Sequence, residues 1–207
     1  VSGFGAFASP DYVMEAMSRK FKEQNTPRDL TIVSGVAPGD FVEDGCGLSK
    51  IKDEGIIKTL IASHLRMSPA IGRACSENKI AAFSMPLGVY GQLLNAIGSK
   101  RPGIITHVGL NTYADPRQDG CKMNELAKAD GREMVELIHV SGKDYLFYKA
   151  FHIDACILHP RATSPSRTSR FTAICWSWRW RCTTMAASSS WRSTPSARRA
   201  RLTRGTC

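Results

Sequence analysis

With 207 residues and a formal net charge of +10, the chain has room for one domain, or one and a part. The charge invites a nucleic-acid or acidic-membrane partner, but its placement argues against one: from His159 onward there are ten Arg, all four Trp, and no Lys, Asp or Glu, which leaves residues 1–158 at net charge zero. Seven scattered cysteines, an odd number with no C-x-x-C pair, argue against a disulfide framework and for a reducing, cytoplasmic setting in which Cys46, Cys75, Cys121 and Cys156 are inert thiols and not metal ligands; no apolar run approaches a membrane span.

In chain order, the first element is a strand end and a glycine turn, Gly3-Phe4-Gly5, leading into a helix with Pro10 in its first turn and Ser9 as its cap. The absence of an initiator Met and of a leader predicts a chain truncated at its front. Val13, Met14, Met17 and Phe21 give the helix a buried stripe. Glycines ahead of a helix let backbone amides approach an anion or a carbonyl, and tight strand-to-helix packing needs them equally. Residues 30–34 form a β-branched strand after the turn Thr26-Pro27-Arg28-Asp29, and 35–47 a loop of Gly and Asp. Helical spacing of Leu48, Ile51 and Ile56 predicts a helix over 48–58, followed by a strand over 59–62. A helix over 69–78, capped by Ser68, a strand over 80–84 and a helix over 89–99 burying Leu93, Leu94 and Ile97 come next.

The stretch from Gly103 to Asn124 organises the chain. Ile104, Ile105 and Thr106 suit a buried parallel strand. They open into a polar loop with Gly109, Asn111, Asp115, Pro116, Arg117 and Gly120, and the space beyond the carboxyl ends of strands is where open α/β sheets bind ligands; an ordinary surface turn has the same composition. His107 reads as a packed or backbone-bonded histidine, with no partner pair that would make it a base. Residues 134–140 and 143–148, joined by Ser141-Gly142, form a β-hairpin, and 155–158 one more strand. Strands alternating with helices predict a parallel α/β sheet with the hairpin added.

Several ordered blocks carry a resemblance: Pro27-Arg28-Asp29-Leu30-Thr31, Glu77-Asn78-Lys79-Ile80, Thr106-His107-Val108-Gly109-Leu110, Asp115-Pro116-Arg117, Lys122-Met123-Asn124, and the run from Gly142-Lys143-Asp144 to Phe147-Tyr148-Lys149. From Val1 to about Ile157 the sequence resembles the α-like half of the family I coenzyme A transferases, of the single-chain acetate/propionate type. The resemblance implies a mostly parallel layered α/β sheet of the NagB/RpiA-like type, and exchange of coenzyme A between a thioester and a free carboxylate. It implies covalent ping-pong chemistry through a glutamyl thioester, with no metal and no permanently bound cofactor: the coenzyme A thioester is a substrate. It also implies that Gly3, Phe4, Gly5, Gly39, Gly88, Gly109, Leu110 and Asn111 line the acyl-CoA site, with Asp40 beside Gly39. Backbone amides there would stabilise a developing oxyanion.

The nucleophilic glutamate of that family sits in the β-like half, so no residue of this chain is a catalytic candidate, and the chain is expected to be incomplete and inactive alone. Homo-oligomerisation or pairing with a β-like half is expected, without nucleic acid or membrane as partner; a non-catalytic α-type subunit completed by a separate β chain is the alternative. Three departures stand out: Leu87 replaces a glutamine that the family carries as a polar contact, while Asn111 and Cys121 stand where it has glycine. Cysteine at a glycine position is strained if the backbone there is left-handed. Residues 159–207 read as a separate Arg/Ser/Thr-rich tail. Codons fitting Cys182 to Thr194, read two bases later, spell His-Asn-Asn-Gly-Gly-Ile-Val-Ile-Val-Glu-Val-Asp, close to what the family carries there, so the tail is expected to be a shifted reading frame.

Overall fold

The structure, a computed structural model, describes Val1 and residues 3–157. Residues 1–158 as a domain and 159–207 as a shifted-frame tail are therefore expectations that fall partly, and for the tail wholly, outside the described residues.

Two three-stranded sheets form the body. β1 (Leu30–Val33), β2 (Ile57–Ala62) and β3 (Ala81–Ser84) are parallel in the order β1-β2-β3. β4 (Gly103–Thr106), β5 (Val135–Val140) and β6 (Lys143–Lys149) are antiparallel in the order β4-β6-β5. The helices are α1 (Asp11–Gln24), α2 (Pro69–Ser76), α3 (Leu87–Gly98) and α4 (Glu125–Ala129).

Side chains alternate across β2, and this divides the core. Leu60 and Ala62 pack with Met14 of α1, Leu48, Ile51, and Ile71 of α2. Ile61 packs on the opposite face with Phe83, Val89 and Leu93 of α3, and Leu146 and Tyr148 of β6. The parallel sheet thus lies between a helical layer and a layer made of α3 and the second sheet, buried on both faces as its apolar run requires.

Several expectations need correction. β4 is neither parallel nor fully buried: it pairs antiparallel with β6 at the edge of the second sheet, and Ile105 is 57% exposed. A β-branched run fits either sheet, because strand propensity reports the pleated surface and not the partner. The helix expected over 48–58 is a short 3₁₀ helix, Gly47–Ile51, that stops at Lys52; Gly55, at φ 95°, then turns the chain before β2 begins at Ile57. Ser9 is not the cap of α1, and Ser68, although it stands at the N-cap position of α2 as expected, makes no side-chain cap hydrogen bond. Ser9 Oγ donates to Asp11 Oδ1 (2.7 Å) while Pro10 occupies the cap position, and Ser68 Oγ shares a hydrogen bond with Ser49 Oγ (3.0 Å). Residues 155–157 form no strand; Leu158 lies outside the described residues. The hairpin stands as expected, with Ser141 and Gly142 both at positive φ (52° and 77°), as a two-residue turn of this kind demands.

Candidate functional site

The loops that leave the carboxyl ends of β1 and β2 are knitted together by backbone hydrogen bonds. Ser63 N donates to Gly35 O (3.0 Å), Ala37 N to His64 O (3.0 Å) and Phe41 N to Met67 O (2.9 Å). Gly39 N donates to Gly5 O (3.1 Å), which brings the N-terminal turn Gly3-Phe4-Gly5 to the same edge of the sheet. Gly3 and Gly39 are sterically required there. Gly3, at φ 134°, would place a Cβ 2.9 Å from Pro38 Cβ, and a Cβ on Gly39 would lie 2.1 Å from Met67 O. Phe4 and Phe7 bridge each other across the turn and remain exposed. Ser63 Oγ, beside Gly35 at this edge, is buried without a hydrogen-bond partner.

Gly88 sits in the first turn of α3, immediately after β3, and is exposed; a Cβ added there would meet nothing within 4 Å. Its neighbour Leu87 is half exposed and packs toward Gly35 together with Tyr90. Gly88 therefore has no packing reason to be glycine, in contrast to Gly39.

Gly109, Leu110 and Asn111 form a second group, held on the antiparallel sheet. Tyr148 Oη donates to Val108 O (2.9 Å), and a Cβ on Gly109 (φ 100°) would fall 2.4 Å from that hydroxyl. The amides of Leu110 and Asn111 are already used: Leu110 N donates to His107 O (3.2 Å) and Asn111 N to Asp115 Oδ2 (2.9 Å). His107 is exposed, not packed as expected, and it takes part in the loop through its carbonyl. The chain then returns alongside β3, where Ser84 N donates to Cys121 O (2.8 Å) and Met123 N to Ala82 O (2.9 Å). Seven of the eight predicted residues thus fall into two groups: Gly3, Phe4, Gly5 and Gly39 are joined by direct contacts, while Gly109, Leu110 and Asn111 are fixed independently; Gly88 stands in neither.

Two residues that sequence reasoning left without a role turn out to build this region. Asp115 is fully buried, and its carboxylate accepts from Asn111 N, from Arg117 N (3.0 Å) and from Arg117 Nε and Nη2 (3.0 and 2.7 Å). The Arg117 guanidinium, aided by the two amides, holds this carboxyl far below its usual range, although burial pushes the other way. Such a group contributes its stability fully above the ordinary carboxylate pKa of 3.8 and loses it only as pH falls toward the depressed value. Asp followed by Pro, with the i+2 amide returning to the Asp side chain, was the available signal. Asn124 is the other: its side chain bonds four backbone groups and caps α4, which the periodicity did not predict.

Cys121 is buried, with φ 69°, so the strained case holds. Burial pushes its thiol, and that of Cys75, up to about 12, which leaves both unreactive. Cys121→Ala should destabilise by about 1 kcal/mol through lost packing, and Cys121→Gly should melt no lower than Cys121→Ala, reversing the usual order because only glycine escapes the left-handed strain. Thermal melts of the two variants check this.

Among the described residues no group of three His, Cys, Asp or Glu side chains could hold a metal, and no helix is long and apolar enough to cross a membrane. A surface cavity of about 420 Å³ is lined by charged residues including Glu15, Lys22, Lys50 and Lys52, and contains none of the predicted site residues.

Residues 1–188 match the family model described as Coenzyme A transferase, a match that continues past the described residues. The chain is similar to the acetate CoA-transferase YdiF of Escherichia coli K12, 36% identical over 160 residues that are 77% of this chain and 29% of that protein. It is also similar to the caffeate CoA-transferase of Acetobacterium woodii, 37% identical over 172 residues, 83% of this chain and 32% of the relative. The crystal structure of the apo acyl-CoA transferase YdiF from Escherichia coli O157:H7 superposes with a TM-score of 0.69 at 34% identity, covering 75% of this chain and 29% of that one. The chain thus spans about three-tenths of the length of these two curated relatives.

Proposed function

The chain belongs to the coenzyme A transferase family, and from that footing we propose that its described residues build one wall of an acyl-CoA site. The protein to which this wall belongs moves coenzyme A between an acyl-CoA and a small carboxylic acid of the short-chain acetate type, in the cytoplasm. The nucleophilic carboxylate and the opposite wall come from a β-like half, covalently continuous or separate, and the chain by itself turns over no substrate. The parallel sheet lying between two layers supports a NagB/RpiA-like arrangement.

One observation carries the reading. The hydrogen bond from Gly39 N to Gly5 O joins two glycine turns at the carboxyl edge of a parallel sheet, the edge at which open α/β sheets bind ligands. Gly88 extends that edge with an open first helical turn, and Ser63 Oγ leaves a hydroxyl there without a protein partner.

Calorimetric titration of the purified chain with coenzyme A and with acetyl-CoA tests it. Both ligands should bind saturably. Gly88→Ala should weaken binding about tenfold, the loss of roughly one close contact, while raising the melting temperature slightly, since alanine is up to about 1 kcal/mol better than glycine in a helix. Failure of the unaltered chain to bind either ligand would end the proposal, and turnover by the chain alone would end its clause on inactivity.

A further inference from the structure

The chain treats the edges of its two sheets differently. On the parallel sheet, Val1 lies along β1: its ammonium donates to Val33 O (2.7 Å), and its carbonyl accepts from Ser34 Oγ (3.1 Å). Residues 121–123 run along β3, with Ser84 N donating to Cys121 O and Met123 N to Ala82 O. On the antiparallel sheet, β4 is an edge of only four residues, whereas β5, the opposite edge, has six in unbroken register with β6.

The pairing fixes which backbone groups of β5 are spent. Lys149 N donates to Met134 O (3.0 Å), and the two-residue turn closes on Val140 and Lys143. Hydrogen-bonded pairs alternate along an antiparallel ladder, so Glu136, Ile138 and Val140 bond to β6 while the N–H and C=O of Val135, Leu137 and His139 point outward. No other backbone among the described residues pairs with these three. The strand also lacks the usual guards of an edge: it has no Pro, no Lys and no bulge, and its one acid, Glu136, is matched by Lys149. Leu137, at its centre, lies on the core side of the sheet opposite buried Leu146, and is 37% exposed because the sheet stops there.

We infer that β5 pairs antiparallel with β5 of a second copy, about a two-fold axis at Leu137, to make one continuous sheet. Self-complementarity selects this occupant. With the axis at Leu137 the outward set maps onto itself: Leu137 meets Leu137 and Val135 meets His139, which uses every outward group in about six hydrogen bonds. An axis at Glu136 would set two carboxylates against each other, and one at Ile138 would leave Val135 facing the hairpin turn. In the Leu137 register the exposed Glu133 of one copy stands diagonal to the exposed His139 of the other. His139 already holds Asp144 through Nδ1 (3.0 Å), which leaves Nε2 for that carboxylate. Residues 1–158 carry no net charge, so the two bodies meet without long-range repulsion.

Sedimentation velocity on the full chain between about 1 and 200 μM, with amide exchange at both extremes, tests this. The expected result is a reversible monomer–dimer equilibrium with a dissociation constant of about 10 μM, weak because the contact is small. Exchange at Leu137 and His139 should slow in the concentrated sample. Leu137→Lys brings two cations together at the axis, and His139→Pro removes an outward N–H that no intramolecular bond uses. Each should weaken the dimer at least about tenfold, while the dilute variants melt within about 3 °C of the unaltered chain. Ile105→Lys, on the far edge strand, should leave the dimer unchanged. A chain still monomeric at about 200 μM, a dimer that survives both β5 variants, or exchange at the two amides that ignores concentration overturns the inference. So does a dimer broken by Ile105→Lys alone, which would put the contact on the outer face of the sheet.

Discussion

Gly39→Ala is expected to lower the melting temperature by about 10 °C, the largest loss for any single methyl group added at the candidate site. The new Cβ would lie 2.1 Å from Met67 O and 2.8 Å from Met67 C, about 1 Å inside any tolerated contact, and both obstacles are backbone. Met67 O cannot retreat freely, because it already accepts from Phe41 N (2.9 Å), and the loop is further pinned by Leu48 N donating to Pro38 O (2.9 Å). The clash must therefore be relieved by moving the loop as a unit, at about 3 kcal/mol, the upper part of the usual overpacking range; for a chain of this size that corresponds to a shift of about 10 °C. Gly45→Ala is the control. Its Cβ would come closer still, 1.7 Å from Asp40 Oδ1, but that obstacle is a partly exposed side chain that can rotate away. The shift at Gly45 should be less than half that at Gly39. Equal shifts in differential scanning calorimetry, or a Gly39→Ala shift under about 3 °C, would show that the loop is not pinned as described.

What the sequence revealed, and what it hid, follows from the range of the forces involved. Local chemistry was legible: Ser141-Gly142 announced the hairpin, and the apolar spacing of Val13, Met14, Met17 and Phe21 announced α1, because turns and amphipathic faces depend on residues a few positions apart. Choice of partner was not. Ile104-Ile105-Thr106 reads the same in a parallel or an antiparallel ladder, and only the distant Leu146 to Lys149 decides between them. Ser9 and Ser68 have the composition of helix caps, yet each found a side-chain partner that no local rule could name. The site divides along the same line. Glycine turns near Gly5 and Gly39 were visible as turns, but their meeting depends on one hydrogen bond between residues far apart in the chain. Asp115 looked like one more polar loop residue, and its complete burial is a tertiary fact.

Asn124 illustrates how much one such tertiary residue can control. Its Nδ2 donates to Cys75 O and Ile80 O (2.7 Å each), and its Oδ1 accepts from Ala82 N (3.2 Å) and Ala127 N (3.0 Å), so a single amide joins the end of α2, the start of β3 and the start of α4. Asn124→Ala leaves these four backbone groups to find other partners. Since the site is only half buried, water recovers part of the loss, and the expected destabilisation is about 3 kcal/mol, not the full sum of unsatisfied groups. Asn124→Asp separates donors from acceptors. The carboxylate could still receive Ala82 N and Ala127 N, but its second oxygen would face two carbonyl oxygens where an N–H₂ had been. Ionisation is therefore disfavoured in the folded state, and the carboxyl pKa rises above its ordinary value of about 3.9. By linkage, the Asp variant is at its best below about pH 4, where the carboxyl is protonated in both states and can donate to one of the two carbonyls. It loses stability steadily as pH climbs from the ordinary value through the raised folded one, and then stays level. The Ala variant has no such group, so its deficit should not change with pH. Urea unfolding of both variants between about pH 3.5 and 7 distinguishes these behaviours: a deficit in Asn124→Asp that widens with pH beside a flat one in Asn124→Ala is the expected result, and parallel profiles would show that the two carbonyls do not depend on this side chain for their hydrogen bonds.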